Sequence, residues 1–593
     1  MQDCIDDLEK SGQLIRIKEE VDPYLEMAAI HLRIFEAKGK AVLFEKIKGS
    51  EYQAVSNLFG TTERSKFLFR DTLDNVKKMI ALKSDPMSAL KNPFKNIGVA
   101  LSAFKALPKK VSSHPFEKIK ISDLPQIQCW EKDGGAFVTL PIVYSEDADK
   151  PGVMNSNLGM YRIQLSGNEY VKDKEIGLHY QLHRGIGVHQ TKWNNAGKPM
   201  KVSVFIGGPP SHSFAAVMPL PEGLSELTFA GALGGRRFRY MYDEDGFCLS
   251  TDADFVITGE VYPNEVKPEG PFGDHLGYYS LKHDFPLMRV KNVYAKKNAI
   301  WSFTVVGRPP QEDTAFGNMI HEMTGSAIST EIPGLHEVHA VDAAGVHPLL
   351  LAIGSERYTP YFKNKQPQEL LTIANHILGT GQLSLAKFLF IANKSDNEIL
   401  KTHDEEKFFQ HILERIDLSR DIHFQTKTTI DTLDYSGEGI NAGSKVIIAA
   451  VGEKRRALIN ELPGDFDLPS AFKNAKIVSK GILAVELSDS HPELVSGSFS
   501  GIIWKTEGLP LIVVCDDSNF LSQNFNNFLW ATFTRSNPSH DIYGINERFD
   551  NKHWSCDTMI IDARIKPHHA PVLEKNTAVE KRVDEILKNL IKE

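Results

Sequence analysis

The stretch PEGPFGDHLGYYS, Pro268 to Ser280, sets the carboxylates Glu269 and Asp274 around Gly270, Pro271 and Gly273, with His275 and two tyrosines behind them. Pro and Gly at this density mark a turn of fixed backbone geometry, not a helix or a central strand. Coupled carboxylates can split their proton affinities, so that one donates a proton while the other stays ionised. Three further clusters precede this loop. MNSNLGMYRIQLSG carries Asn157 and Arg162, GLHYQLHRGIGVH carries His179, His183, Arg184 and His189, and MPLPEGLSELTFAGALGG puts Glu226 on an expected first helical turn after Ser225.

Asn157, His183 and Glu226 offer an amide oxygen, an imidazole and a carboxylate, a mixed O/N set suited to Mn²⁺ or Mg²⁺. HRGIG adds an arginine and permissive backbone of the kind a phosphate site needs. Arg162 with Glu269 and Asp274 makes a cation with two carboxylates. Each residue alone also has a plain structural use: a turn asparagine, a satisfied core histidine, an acid favoured by a helix N-terminus, an arginine in an ion pair. What joins them is that all fall within one expected domain.

That domain, residues 121–330, reads as short β-rich runs separated by Gly and Pro. AFVTLPIVYS, MYRIQLSG, KVSVFIGG, DFVITGEVYP, MRVKNVYAKK and AIWSFTVVG are its strand candidates, with the spacing of a barrel or sandwich. Residues 1–120 read as a mixed α/β start. Within them the Lys-rich, apolar-interleaved stretch from Lys77 to Lys120 reads either as a solvated helical face or as contact with an anionic membrane surface. After 330 strands and helices alternate, and an internal repeat emerges. AKFLFIANKSDN followed by FFQHILERIDLSRDIHF resembles LPLIVVCDDSN followed by FNNFLWATFTRSNPSHDIY, each a buried strand, a polar turn, a helix and a closing strand. The division expected is 331–444 and 445–593, two related α/β units. Asp516 and Asp517 end a strand as turn formers or as ligand contacts. NTAVEKRVDEILKNLIKE reads as a charged amphipathic helix suited to a neighbouring subunit. The fold class is therefore multidomain α+β with α/β parts.

A chain of 593 residues with 41% hydrophobic and 24% charged residues is globular and of several domains. Its net charge of −8, with no strongly basic domain, argues against general nucleic-acid binding. Five scattered cysteines without zinc spacing suit a reducing cytosol. No apolar signal region and no spanning run is visible, so a cytoplasmic protein is expected, at most peripheral to the inner face of the membrane.

NLGMYRIQ, HYQLHRG, LSELTFAGALGG, PEGPFGDHLGYY and GRPPQED, in this order, resemble the UbiD-type decarboxylases. The resemblance implies a central split β-barrel binding prenylated FMN, with Asn157, His183 and Glu226 holding a Mn²⁺ that bridges the flavin phosphate. It implies a nearby K⁺ with Met218 and Glu226 as candidates. Met160, Tyr161, Arg162, His179, Tyr180, Gln181, Arg184 and Gly185 would line the cofactor, and Arg162, Glu269 and Asp274 would be the catalytic set. The implied reaction is non-oxidative decarboxylation of an aromatic acid through a covalent flavin adduct, with an active-site acid protonating the carbon. A flavin prenyltransferase would supply the cofactor, and a homo-oligomer is expected. The C-terminal continuation past the first repeat resembles longer members assigned to menaquinone synthesis. The substrate expected is a polyprenyl-hydroxybenzoate or dihydroxynaphthoate type of quinone precursor. Two alternatives stand beside it: a reversible carboxylase of a small soluble aromatic or α,β-unsaturated acid, and a flavin-binding protein without catalysis.

Overall fold

The computed structural model describes the chain except residues 85–103, 182–183, 221–224, 360, 364, 465, 489–493, 502–505 and 591–593. It divides into two compact units, Met1–Ala327 with Pro571–Glu593, and Ile328–Ala570.

The first unit opens on a four-stranded sheet. Leu14–Val21 pairs parallel with Ala41–Ile47, which pairs antiparallel with Gln53–Ser56. The fourth strand, Ile300–Ser302, comes from far along the chain and pairs parallel with Gln53–Ser56. AIWSFTVVG therefore forms a strand as its β-branched and aromatic content predicts, but it completes the N-terminal sheet and not the central one. Trp301, wholly buried, fixes it there.

The central element is a curled sheet of nine strands among the described residues. Its order runs Phe137–Val138, Ile163–Gln164, Glu175–Leu178, His283–Lys296, Phe255–Glu269, Met200–Ile206, Ile142–Glu146 and Ser156–Gly159, with Phe116–Ile119 also paired to His283–Lys296. All of these pairings are antiparallel. The two long strands, Phe255–Glu269 and His283–Lys296, form its spine. Their register slips between Val261 and Val266, where Asn264 takes φ +61°. That bulge accommodates Pro263, which could not serve a regular central ladder, and carries the strand on through Pro268, opposite Asp284, to Glu269.

The terminal helix Thr577–Leu590, expected against a neighbouring subunit, packs instead on Glu26–Glu36 of its own chain. Arg33 pairs with Glu580 and, at 2.7 Å, with Asp584. Val583 and Ile586 are buried in the core shared with the central sheet, worth about 1.5–3 kcal/mol each. The amphipathic pattern is real, and an apolar stripe does not say whose surface it meets.

The second unit contains the repeat. One sheet has the order Leu335–Ala340, Leu349–Gly354, Phe388–Asn393, Gly443–Ala450, Ile422–Thr428; the other has Phe472–Ser479, Ile482–Leu487, Leu511–Val514, Thr558–Asp562, Ile542–Ile545. In each the three middle strands are parallel and the two outer ones antiparallel. Matching side chains recur in matching places. Asp421 accepts from the Asp417 amide as Asp541 does from Asn537, and Asp396 accepts from Gly452 as Asp516 does from Ile565. Asp517 caps the helix Ser518–Gln523 through the Phe520 amide, whereas Asp516 makes long-range contacts, with the Ile565 amide and, at 3.3 Å, with Arg535. The boundary expected at 444/445 falls inside the strand Gly443–Ala450, which the first sheet needs as its fourth member.

Lys387, wholly buried, links the copies: its ammonium meets Asp434 at 2.8 Å, Ser436 Oγ at 2.6 Å and the Ser536 carbonyl at 2.8 Å. Removing one member of a buried ion pair strands the other, so Lys387→Met should destabilise the second unit by about 3–5 kcal/mol. Replacing Asp434 with Leu in the same chain should recover most of that loss. The urea midpoint of the second unit's transition reads both.

Candidate active site

Arg162 lies one residue before the strand Ile163–Gln164 and points at three acceptors. Its Nε and Nη2 fork onto Glu269 at 2.8 and 2.7 Å, Nη1 meets Asp274, and Nη2 also reaches Ser280 Oγ at 2.8 Å. The guanidinium stacks 4.6 Å above the Phe272 ring. Glu269 is wholly buried at the end of its strand, and Asp274 and Ser280 are buried as well. The sequence separation of Arg162 from the two acids is closed by the sheet: its strand is joined through Glu175–Leu178 and His283–Lys296 to the strand that ends in Glu269.

The Pro/Gly loop beyond Glu269 is a short hairpin. Phe272 pairs with Ser280 and Gly273 with Tyr279, and the turn between them closes by Asp274 N–H to Tyr278 O at 2.9 Å. Gly270 takes φ +87°, where a side chain would be strained. Its amide donates to Gln164 Oε1 at 2.9 Å and its carbonyl accepts from Asn168 at 2.7 Å. Asp133 holds the same hairpin, accepting from the Gly273 amide at 2.7 Å and from Trp130 at 2.9 Å. Sequence reasoning alone misses Asp133, Ser280 and Phe272. The Asp-Gly-Gly of WEKDGG is the available signal for the first, and nothing local marks the others.

Charge is distributed unevenly here. Burial by itself would raise the Glu269 carboxyl, but Arg162 and His179 outweigh it and hold it at about 2. Asp274 faces the same burial, and it too is held below its ordinary value, by hydrogen bonds from the His275 side chain and amide and by Arg162. His275 Nδ1 stands 2.8 Å from Asp274 Oδ1. His179 donates from Nδ1 to Glu269 at 3.0 Å and stacks on Phe285 at 3.9 Å. Burial, with the Arg162 charge, lowers its proton affinity, so its ring is neutral near pH 7. Asp133, in contrast, is pushed up to about 7 by burial.

A second group lies along the strand Ser156–Gly159 and the helix Glu226–Leu233. Glu226 Oε2 approaches the Leu158 amide at 3.4 Å, and burial raises its carboxyl. Asn157 exchanges contacts with Tyr161 at 3.2 and 3.4 Å. A Cβ on Gly185 would lie 2.2 Å from Asn157 Oδ1, so the glycine leaves the amide its place. Arg184 precedes the helix Gly185–Asn195 and donates to Gln181 at 2.9 Å, and Tyr180 bonds Gln190. Met160 donates its amide to Ala216, two residues before the buried Met218. His189 bonds Ser145 at 2.9 Å, a core role. His183 lies outside the described residues, as do residues 85–103 of the Lys-rich stretch. Among the described residues no helix is long and apolar enough to cross a membrane.

Comparison with known proteins bears on the whole chain. Residues 5–83, 104–309 and 314–450 match, in turn, the N-terminal, Rift-related and C-terminal domains described as 3-octaprenyl-4-hydroxybenzoate carboxy-lyase. An uncharacterized protein of Chlamydia trachomatis is 35% identical over 598 residues, 98% of each chain. A Chlamydia pneumoniae protein, named as one of the subunits of a 4-hydroxybenzoate decarboxylase, is 34% identical over 604 residues, 97% of this chain and 95% of that one. Among solved structures, the closed form of Sedimentibacter hydroxybenzoicus vanillic acid decarboxylase superposes with TM-score 0.63 at 22% identity, covering 79% of this chain and 95% of that one. A UbiD-class enzyme of Pelotomaculum thermopropionicum, solved with FMN, gives 0.58 at 20% identity, covering 79% and 97%. With relatives this similar along nearly its full length, the chain belongs to the UbiD family of carboxy-lyases.

Proposed function

We propose that this chain removes CO₂ without oxidation from an aromatic carboxylic acid of the hydroxybenzoate or dihydroxynaphthoate type, a quinone precursor, and that prenylated FMN is its cofactor. The observation that carries the reading is the buried fork of Arg162 between Glu269 and Asp274. A binding protein has no use for two carboxylates gathered on one buried cation beside a rigid hairpin. The hydroxybenzoate class is supported by the name of the Chlamydia pneumoniae relative.

The residues present fit a flavin phosphate held through a divalent metal. Glu226 is half-buried, with a raised proton affinity and no cationic partner among the described residues, which suits a carboxylate ligand of a metal ion. Asn157 Oδ1 occupies the place that the missing side chain of Gly185 leaves free, on the strand whose Leu158 amide meets Glu226, and His183 would complete the set as ligand, with Mn²⁺ or Mg²⁺ as the ion. K⁺ near Met218 belongs to the same proposal. His179 Nε2 is buried with no hydrogen-bond partner among the described residues, a polar atom that a bound cofactor could satisfy. Met160, Tyr161, Tyr180, Gln181, Arg184 and Gly185 would line the cofactor with it. The prenylated flavin supplies an electron sink for the pair left on carbon when CO₂ departs.

The chain's own residues then do three things. Arg162 binds and orients the substrate carboxylate. Glu269, ionised throughout, keeps Arg162 charged and its fork in one plane. Asp274 delivers a proton to the carbon from which the carboxylate has left, and His275 connects Asp274 to solvent. Asp274 begins ionised, so it must first gain a proton. A second carboxylate beside Arg162 supplies the reason, by sharing the guanidinium and repelling Asp274.

Co-production with a flavin prenyltransferase, an absorption spectrum, and ¹³C-bicarbonate exchange into prenylated and unprenylated hydroxybenzoates and dihydroxynaphthoate test the assignment. Exchange into a prenylated acid supports the membrane-borne precursor; exchange only into small acids moves the substrate to that class. In this assay Asp274→Asn should keep flavin and lose about 10²- to 10⁴-fold in turnover. An Asn variant with full activity removes Asp274 from the role. Glu226→Gln should lower bound metal and flavin together, read by elemental analysis and absorbance; unchanged metal content refutes its ligand role. Because Asp274 is ionised when free and protonated when substrate is bound, binding should take up one proton. Affinity should therefore weaken as pH rises, by at most about tenfold per unit. Calorimetry in buffers of different ionisation heat measures the proton count, and zero uptake counts against the donor assignment.

A further inference from the structure

The hairpin that carries Asp274 is too short to stand alone. Two residues pair on each side, Phe272 with Ser280 and Gly273 with Tyr279, whereas isolated hairpins of any length are marginal in water. One edge is braced by the turn at Asp133, with Gly134 N–H donating to Pro271 O at 2.7 Å beside the Asp133–Gly273 bond. The other edge is braced from the far end of the chain. Tyr279 N–H donates to Pro571 O at 2.9 Å, Leu573 N–H donates to Gly277 O at 3.1 Å, and Tyr278 and Val572 form an antiparallel bridge. Pro571 is the residue at which the chain re-enters the first unit.

This return strand is itself anchored. Beyond it Lys575 pairs with Glu36 at 2.6 Å, Asn576 donates to Glu131 at 3.3 Å, and the helix Thr577–Leu590 is fixed on Glu26–Glu36 by Arg33 and by the buried Val583 and Ile586. Leu573 packs against the core near Trp130, whose indole donates to the Val306 carbonyl. An exposed pair of backbone groups on a two-residue strand would ordinarily exchange with water. Here it is occupied by a third strand that the core holds in place.

We propose that residues 571–573 are a positioning strand for the acid-bearing hairpin, fixing Asp274 against Arg162. The inference rests on the reading of Asp274 as proton donor, and it assigns a role to the end of a chain that continues past residue 450, where the matched domains stop. A donor displaced by even about 1 Å can lose 10²-fold in rate, which is the scale on which such a brace matters. The extension then serves the site directly, by supplying backbone groups to its hairpin.

Leu573→Pro deletes the one amide that donates to Gly277 while leaving a bulky apolar residue; Leu573→Ala keeps the amide and removes the side chain. Hydrogen exchange on the protein without cofactor should show residues 272–280 exchanging about tenfold faster in Leu573→Pro than in Leu573→Ala or the parent. Pro571→Gly, which keeps both hydrogen-bonding groups and frees φ, should shift exchange the same way by less, and it serves if the proline variant does not fold. With cofactor, Leu573→Pro should lower kcat roughly 10- to 100-fold with KM and flavin content near those of Leu573→Ala. Unchanged exchange in the hairpin overturns the positioning strand. Faster exchange with unchanged kcat also overturns the positioning role, leaving only a structural contact, whereas Asp274 as donor stands or falls on Asp274→Asn, so the two ideas fail separately.

Discussion

The buried guanidinium of Arg162 imposes the constraint from which the rest of the first unit follows. Taking a charge out of water costs several kcal/mol even after relaxation, and only well-placed partners offset it. Arg162 has Glu269 on two nitrogens, Asp274 on a third and Ser280 beside them. Glu269 is buried in turn and takes a further bond from His179. No member can be moved without stranding another, so the bulge at Asn264, the left-handed Gly270 and the brace of Asp133 all serve one arrangement. Desolvation enforces that rigidity, and the proposed proton delivery would benefit from it.

The second unit meets a similar requirement by duplication. Two sheets of the same order and sense meet at Lys387, which satisfies its charge on Asp434 and its remaining donors on Ser436 and Ser536. The shared aspartate geometry at 421 and 541 shows that the copies kept their turn chemistry while their helices diverged in apolar content. From the second copy the chain returns through Pro571 into the first unit. The extension thus ends as part of the unit that holds Arg162, a result that length and composition alone would not suggest.

Much of this was legible from residues. The strands of the central sheet announced themselves by β-branched runs, and the Pro/Gly loop announced a fixed turn. Arg162, Glu269 and Asp274 were paired by resemblance and meet in space. What was illegible has a common cause. Ile300–Ser302 completes a distant sheet, Thr577–Leu590 covers its own chain, and residues 571–573 brace a hairpin some three hundred residues upstream. Local pattern gives an element's type and its apolar face, but a partner's identity is set by long-range packing that no window contains. Asp133 escapes notice for the same reason: an Asp before Gly-Gly reads as a turn former, and it is one, whose second bond happens to hold the hairpin.

Charge balance ties the fork to the substrate. Arg162 contributes one positive charge, Glu269 and Asp274 two negative ones, and His179 is neutral, so the guanidinium's charge is already matched before a carboxylate substrate arrives. Setting another carboxylate about 4 Å from Asp274 costs about 4 kcal/mol at an effective dielectric of 20. That corresponds to about three units of proton affinity, acting against the hold that His275 and Arg162 exert on Asp274. Glu269, forked on two nitrogens and bonded by His179, is the harder of the two to protonate. Asp274, held by a single nitrogen of Arg162 and by His275, is the easier. On the proposed assignment of Asp274 as donor, the asymmetry of the fork selects which acid is loaded, and the substrate's own charge does the loading. An uncharged analogue of the same ring would leave Asp274 ionised and the hairpin unchanged, which makes the carboxylate both the group to be lost and the trigger for its replacement by a proton.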